Sequence, residues 1–230
     1  MAEERFALFN ECFREANVTR ARYRVLCGGA GSGKSFNVAQ DYILKLSDKR
    51  FCGANLMVVR KTEASGRNSA FAELCGAVSR IFGDDADKYF RIRREPMELE
   101  STVTGSSVIF RGMKDAPQRE RVKSVSFSRG KLTWIWCKEA TELESEDLDI
   151  LDDRLRGDLA SFGGELYYQI TLTFNPVSAS HWIRRRFFDA PPDPDIFLHR
   201  SSFTDNRFID PGYAARMKRR EAYDPEGYRV

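Results

Sequence analysis

Residues 28–35 read Gly28-Gly29-Ala30-Gly31-Ser32-Gly33-Lys34-Ser35. This stretch matches the phosphate-binding loop pattern G-x-x-x-x-G-K-[ST] without gaps. Residues 23–27, directly before it, are apolar enough for a buried strand, and residues 36–46, directly after it, carry apolar side chains at helical spacing. A strand, a glycine-rich loop and a helix in this order predict an α/β fold built around a nucleotide site.

The residue types in the loop explain how it binds phosphate. Glycines leave the backbone N–H groups free to point at phosphate oxygens, and the helix N-terminus adds partial positive charge. The Lys34 amine is predicted to contact the β- and γ-phosphates, and the Ser35 hydroxyl to ligate Mg²⁺. ATP is therefore the predicted substrate and Mg²⁺ the predicted cofactor.

The composition narrows the class of protein. The chain has 230 residues, with 37 basic and 34 acidic side chains and a net charge of +3, so any DNA-binding surface must be a local patch. The five cysteines are scattered without a CxxC pair, which favours free thiols in a reducing compartment. The sequence shows no signal peptide and no apolar run of membrane length, and we expect a soluble intracellular protein without a membrane partner.

Hydrophobic periodicity predicts alternating strands and helices around the loop. Predicted strands cover 23–27, 54–60, 132–137, 166–174 and 196–203. Predicted helices cover 3–16, 36–46, 69–82, 141–156, 181–188 and 211–222. A β-hairpin is predicted within 83–114, and a mobile loop with a short helix within 115–131. This order predicts a mainly parallel central sheet with added antiparallel strands.

Polar residues follow two of the buried strands, where ligands of α/β proteins bind. Glu139 follows strand 132–137 and suits the carboxylate that polarises an attacking water. Lys138 stands where such a site needs an acid for Mg²⁺, and a cation there repels the metal. Asn175 follows strand 166–174, where a sensor of the γ-phosphate belongs; a turn-forming Asn before Pro176 is the alternative.

Basic residues offer a weaker signal for DNA contacts. They are Arg60 and Lys61 at the end of strand 54–60, Arg184, Arg185 and Arg186 in a short helix, and Lys218-Arg219-Arg220 in the last predicted helix. Contacts with DNA phosphates and an ordinary solvated face are both consistent with such runs.

Several landmarks in order carry a family resemblance. They are the loop at 28–35, Val-Val-Arg-Lys-Thr (58–62), Trp-Ile-Trp-Cys-Lys-Glu-Ala-Thr-Glu-Leu (134–143), Asp-Arg-Leu-Arg-Gly (153–157), Thr-Phe-Asn-Pro-Val-Ser-Ala-Ser-His-Trp (173–182) and Phe-Thr-Asp-Asn-Arg-Phe (203–208). Together they resemble the N-terminal ATPase domain of the large terminase subunit of tailed bacteriophages and prophages, over residues 20–230. The resemblance implies a P-loop NTPase of the ASCE, RecA-like group, a three-layer α/β sandwich.

The resemblance also implies a function and partners. It implies a motor that uses ATP to move double-stranded DNA into a procapsid in the host bacterial cytoplasm. It implies a homo-oligomeric ring, commonly a pentamer, on the portal protein, and a small terminase subunit as a further partner. Residues 1–230 would be one ATPase domain, with an N-terminal helix in 1–20 and the start of a linker in 210–230. The nuclease domain of the family would be absent, and no nuclease activity is expected.

Site roles follow from the resemblance by position. Lys34 and Ser35 would bind phosphate and Mg²⁺, and Glu139 would be the catalytic carboxylate. The segment from Thr173 to Asn175 would couple the γ-phosphate to domain motion. An arginine finger from a neighbouring subunit is also implied; Arg129 is the first candidate, with Arg121 and Arg119 in reserve.

Two positions depart from the family pattern. Ala30 stands where many relatives have an arginine, and Lys138 stands where relatives have Asp or Glu. We hypothesise that the chain binds nucleotide but hydrolyses it poorly. Alternatively, Lys138 pairs with a phosphate or with Glu139, or a shifted register lets Glu142 help hold the metal.

Two other functions stay open at this point. A helicase-like DNA-remodelling ATPase would share the loop and Glu139 but would need further nucleic-acid motifs. A nucleotide-binding assembly module without useful turnover is the third interpretation, and Lys138 favours it slightly.

Overall fold

The computed structural model describes residues 9–62 and 67–223, without the side chains of residues 67 and 68. The strands are β1 (Tyr23–Gly28), β2 (Ala54–Arg60), β3 (Phe90–Arg94), β4 (Met97–Ser101), β5 (Ser107–Gly112), β6 (Lys131–Lys138), β7 (Gln169–Phe174) and β8 (Ile196–Ser201). The α-helices are α1 (Arg14–Val18), α2 (Lys34–Ser47), α3 (Ala72–Phe82), α4 (Ala86–Tyr89), α5 (Ala116–Lys123), α6 (Ser145–Asp152) and α7 (Pro211–Tyr223).

Short helical turns complete the described part of the chain. Turns of 3₁₀ type cover Glu11–Phe13, Lys49–Phe51, Gly83–Asp85, Ala140–Glu142, Ala160–Phe162 and Phe203–Asp205. Turns of π type cover Arg67–Phe71 and Arg184–Phe188. No helix within these described ranges is long and apolar enough to cross a membrane.

All eight strands form one sheet in the order β3-β4-β5-β2-β6-β7-β1-β8. The six strands from β5 to β8 in that order are parallel to one another. The hairpin β3–β4 is antiparallel and joins the sheet through the antiparallel pairing of β4 with β5. The predicted mainly parallel sheet with an added hairpin is confirmed.

Two apolar clusters cover the two faces of the sheet, which makes three layers. Alternate side chains of β6 show this most clearly, because successive residues of a strand point to opposite faces. Trp134 and Trp136 pack in the cluster formed with α2 and α3. Ile135 and Cys137 pack in the cluster formed with α5, α6 and the turn Arg184–Phe188. With both faces of β6 buried, its polar functional groups are restricted to its carboxyl end.

Some predicted helix boundaries differ from the observed ones, and polar contacts at Asn10 and at Glu144 explain two of the differences. Within the described residues the N-terminal helix begins at Glu11 and ends at Val18, not at 16; residues 3–8 of that prediction lie outside the described part. Asn10 is not helical, since its side chain binds Asn206 and the Arg207 N–H. Helix α6 begins at Ser145, not at 141, because Glu144 and Asp147 form a capping box there.

Strand ends also differ from the prediction. Strand β7 begins at Gln169 rather than 166, and β8 ends at Ser201 rather than 203. The segment 115–131 contains the eight-residue helix α5, which is anchored by buried Val122.

Protonation of His199 on β8 is expected to destabilise the packing of the N-terminal segment at low pH. Its ring lies 4.9 Å from the ring of Phe13, and its Nε2 atom is buried without a hydrogen-bond partner in the described structure. Burial lowers the pKa of His199, while Asp205 and Glu15 oppose that shift. The unfolded chain therefore binds the proton more readily, and the free energy of unfolding is expected to fall as the pH drops below about 6.5.

Urea denaturation at pH 7.5 and pH 5.5 checks this expectation. The starting chain should lose stability at the lower pH, and His199→Gln should reduce that loss. His181→Gln, at the other histidine of the sequence, is the matched control and should retain the full pH effect. An unchanged pH dependence in His199→Gln would contradict the assignment.

Candidate nucleotide-binding site

Three adjacent parallel strands bring the predicted site residues to one edge of the sheet. Strand β7 pairs with β1 on one side and with β6 on the other. The phosphate-binding loop follows β1, Glu139 follows β6 and Asn175 follows β7. Because parallel strands end at the same edge, the topology places these three groups together, as the sequence predicted.

A cleft of about 340 Å³ lies at this edge. Its lining consists of residues 29–36 of the loop and the start of α2, together with Glu139, Asn175 and Asn206. The cleft thus joins the ends of three strands with the segment that follows β8.

Two glycines of the loop are required by the backbone. Gly33 has φ of 85°, in the left-handed region, and stands directly before α2, where it turns the chain into the helix. At Gly28 a Cβ atom would lie 2.3 Å from the Ser201 carbonyl oxygen, so the close approach of β1 and β8 excludes a side chain.

The Lys34 amine lies inside the loop. It donates hydrogen bonds to the carbonyl oxygens of Gly28 and Gly29, to Ser32 Oγ at 3.3 Å and to Asn175 Oδ1 at 3.4 Å. Burial lowers the pKa of Lys34, and the charge of Glu139 opposes this. The contact with Asn175 links the loop directly to the end of β7.

Glu139 stands in an unusual backbone conformation. Its φ and ψ are both 54°, and within residues 9–62 and 67–223 it is the one non-glycine residue with positive φ. Such a conformation costs about 1–3 kcal/mol and persists only where the surrounding structure imposes it. Because of this turn, the side chains of Lys138 and Glu139 point in different directions. Glu139 lines the cleft and Lys138 does not.

The coupling segment divides into a buried and a cleft-facing part. Thr173 is buried, and its Oγ1 accepts a hydrogen bond of 3.0 Å from Trp136 Nε1. Asn175 lines the cleft and contacts Lys34. Of the two predicted sensor residues, Asn175 therefore has direct access to a ligand in the cleft.

Lys138 turns away from the cleft toward α3. Its side chain is about 5% exposed, and its Nζ lies 2.7 Å from Glu73 Oε1. The sequence did not predict this pairing of Lys138. Glu142, the alternative metal acid, forms an ion pair of 2.7 Å with Arg60 and does not line the cleft.

The oxygen donors in the cleft fit a nucleotide-bound Mg²⁺. Mg²⁺ is usually held by one or two carboxylates, several waters and substrate phosphates. The cleft offers the Glu139 carboxylate and the Ser35 hydroxyl. The described residues contain no group of three or more His, Cys, Asp or Glu side chains arranged for a metal. This donor set suits a metal that arrives with phosphate rather than a metal held by protein alone.

The finger candidates differ in position and partners. Arg129 is exposed and lies two residues before β6, at the sheet edge opposite the cleft, so it is unable to reach the cleft of its own chain. Arg119 forms an ion pair of 2.6 Å with buried Asp147. Arg121 is exposed on α5.

Four of the five basic residues proposed for DNA before the last predicted helix have acidic partners within the chain. Arg60 pairs with Glu142, Lys61 with Glu144 and Asp147, Arg184 with Asp189, and Arg186 with Asp149. Arg185 is exposed and has no carboxylate partner in the described part of the chain. Their role toward DNA stays a prediction.

Hydrogen bonds from Asn206 and Tyr213 to the backbone of the loop were not predicted from the sequence. Asn206 Nδ2 donates to the Gly31 carbonyl at 2.8 Å, and the Tyr213 hydroxyl donates to the Ala30 carbonyl at 3.3 Å. Asn10 binds Asn206 at 3.0 Å and completes the contact. The motif at 203–208, which includes Asn206, is the sequence signal for this contact.

The sequence also matches a known protein family. The model of the phage terminase large subunit family matches residues 20–230. The chain belongs to this family.

Two curated relatives are similar over most of this terminase chain. The PBSX phage terminase large subunit of Bacillus subtilis (strain 168) is 27% identical, over 90% of this chain and 48% of its own length. The terminase large subunit of Bacillus phage SPP1 is 23% identical, over 92% of this chain and 49% of its own length. The chain spans about half the length of the curated relatives it matches.

Solved structures share the fold. The large terminase of a thermophilic bacteriophage matches with a TM-score of 0.75 and 14% identity, over 96% of this terminase chain and 52% of that chain. The ATPase domain of the Thermus phage P74-26 large terminase matches with a TM-score of 0.58 and 14% identity, over 92% and 87% of the two chains. These matches confirm the predicted P-loop NTPase fold.

Proposed function

We propose that this chain is the ATP-hydrolysing part of a motor that packages double-stranded phage DNA. The supporting observation is the convergence of Lys34, Glu139 and Asn175 on one cleft of a terminase chain. The large terminase of the same thermophilic bacteriophage, in a structure that includes ADP, shares the fold at a TM-score of 0.70, which is consistent with nucleotide as the ligand.

Each cleft residue has a chemical role in this proposal. Lys34 and the loop N–H groups bind the phosphates, and Glu139 orients the attacking water and accepts its proton. Ser35 would hold Mg²⁺ together with the phosphates, and the metal would supply positive charge near the reacting phosphoryl group. Asn175 senses the γ-phosphate through its contact with Lys34 and transmits that state along the segment after β7.

Lys138 sets the expected activity of this particular chain. It replaces the carboxylate that would hold the metal through water, so turnover is expected to be low while nucleotide binding is retained. This combination also gives the assembly-module interpretation its support. The two interpretations differ in whether packaging components raise the turnover.

Assembly would supply the missing transition-state charge. Arg129 lies at the sheet edge opposite its own cleft, which suits a finger that serves a neighbouring subunit in a ring. The proposed partners are the portal protein, the procapsid, the small terminase subunit and double-stranded DNA.

The decisive experiment measures ATP hydrolysis by the chain alone, with DNA, and with DNA plus portal-bearing procapsids. The packaging proposal predicts a rise in turnover that requires the procapsids. DNA strand separation by the chain would favour the helicase-like function instead. Nucleotide binding without turnover in every mixture would favour the assembly module.

A further inference from the structure

The strongest unexplained feature near the cleft is the ion pair between the buried Lys138 amine and the partly buried Glu73 carboxylate. Lys138 ends β6, directly before Glu139, and its Nζ lies 2.7 Å from Glu73 Oε1 on the first turn of α3. A buried cation is strongly unfavourable without a partner, so Glu73 is what permits Lys138 at this position.

Glu73 has a second acceptor that the rest of the described chain does not use. Its Oε2 atom is buried and has no hydrogen-bond partner among the described residues. A buried acceptor without a hydrogen-bond partner costs free energy. A purely structural role for Glu73 does not account for this cost.

The charge of Glu73 also affects a second cation near the cleft, Arg80. The Arg80 guanidinium lies 4.0 Å from the centre of the Phe36 ring, and Phe36 lines the cleft. Burial lowers the pKa of Arg80, and the Glu73 carboxylate opposes that change. Glu73 therefore forms an ion pair with Lys138 on β6 and interacts electrostatically with Arg80 on its own helix.

The local charge balance depends on this single carboxylate. Lys34 and Glu139 line the cleft, while Lys138, Arg80 and Glu73 lie behind its wall, so three cations stand against two carboxylates in this region. Removal of the Glu73 charge would leave three cations against one acid. Such an excess disfavours a divalent cation, since the Coulomb energy scales with both charges.

We propose that Glu73 is a positioning residue for metal binding. It neutralises Lys138 and holds the ammonium against α3, out of the cleft, so that the site accepts nucleotide together with Mg²⁺. The inference rests on the proposed nucleotide-binding function and explains how binding survives a lysine at the position of a metal acid.

The test measures the affinity for a fluorescent ADP analogue, with Mg²⁺ and with EDTA. Glu73→Gln is expected to weaken binding in Mg²⁺ by about tenfold and to leave binding in EDTA nearly unchanged. Lys138→Met is expected to shift the Mg²⁺-dependent affinity in the opposite direction. A purely structural pair would instead weaken binding in both variants, with or without the metal.

The double variant and a surface control complete the design. Glu73→Gln with Lys138→Met restores the original charge balance and should restore the Mg²⁺ dependence. Glu98→Gln removes a carboxylate that pairs with Arg93 on the β3–β4 hairpin, and it should change nothing. Equal affinities of Glu73→Gln and the starting chain in Mg²⁺ would overturn the proposal.

Two further outcomes keep the test interpretable. If Glu73→Gln fails to fold, Lys138→Met decides the test: tighter binding in Mg²⁺ with unchanged binding in EDTA supports the proposal, and unchanged binding in Mg²⁺ overturns it. If the starting chain binds no nucleotide at all, the proposed function fails rather than the role of Glu73.

Discussion

Glu139→Gln is expected to lower ATP turnover by about 10²- to 10⁴-fold, because the amide is unable to accept the proton of the attacking water. Nucleotide affinity should stay nearly unchanged, since Lys34 and the loop backbone make the phosphate contacts. The two side chains have almost the same shape, so the left-handed backbone at residue 139 is retained. Steady-state hydrolysis and equilibrium nucleotide binding, measured on the same preparation, check this result.

Glu142→Gln is the matched control for Glu139→Gln. Glu142 lies three residues further along and pairs with Arg60 outside the cleft. Its substitution should leave turnover close to that of the starting chain. If Glu142→Gln abolished hydrolysis and Glu139→Gln did not, the catalytic carboxylate would have to be reassigned.

Lys138→Glu is expected to raise turnover by roughly 10- to 100-fold, the range by which outer-shell partners of a metal change activity. The substitution removes the cation at the sequence position where the family pattern has a metal-holding acid and supplies that carboxylate. It also breaks the ion pair with Glu73, so thermal unfolding must be measured beside the kinetics. Turnover is compared at saturating ATP and Mg²⁺.

Lys138→Met separates the two effects of that substitution. It removes the cation without adding an acid, so its turnover should stay well below that of Lys138→Glu. If the starting chain hydrolyses ATP as fast as Lys138→Glu, residue 138 is not the metal-acid position. The acid would then have to come from another element of the fold.

Strand-end positions explain why much of the site was predictable. The loop motif marks the end of one strand, and apolar runs mark the ends of the two strands before Glu139 and Asn175. The carboxyl ends of parallel strands lie at one edge of the sheet. The loop, Glu139 and Asn175 therefore lie close together in any sheet of this class. The cleft confirms this part of the prediction.

Side-chain direction explains why the fate of Lys138 was not predictable. Neighbouring residues 138 and 139 differ in direction because Glu139 adopts a left-handed conformation that its residue type does not signal. The partner Glu73 lies 65 positions earlier in the sequence, on another element. Only the packing of α3 against the sheet brings the two charges together.

The sequence by itself determined the fold class, the nucleotide loop and the carboxylate that lines the cleft. These depend on local motifs and on the period of apolar residues, which are written in consecutive positions. The tertiary structure alone decided the Lys138–Glu73 pair and the contacts of Asn10, Asn206 and Tyr213 around the loop. The physical reason is that these contacts join segments far apart in the chain, and their geometry exists only after the helices have packed on the sheet.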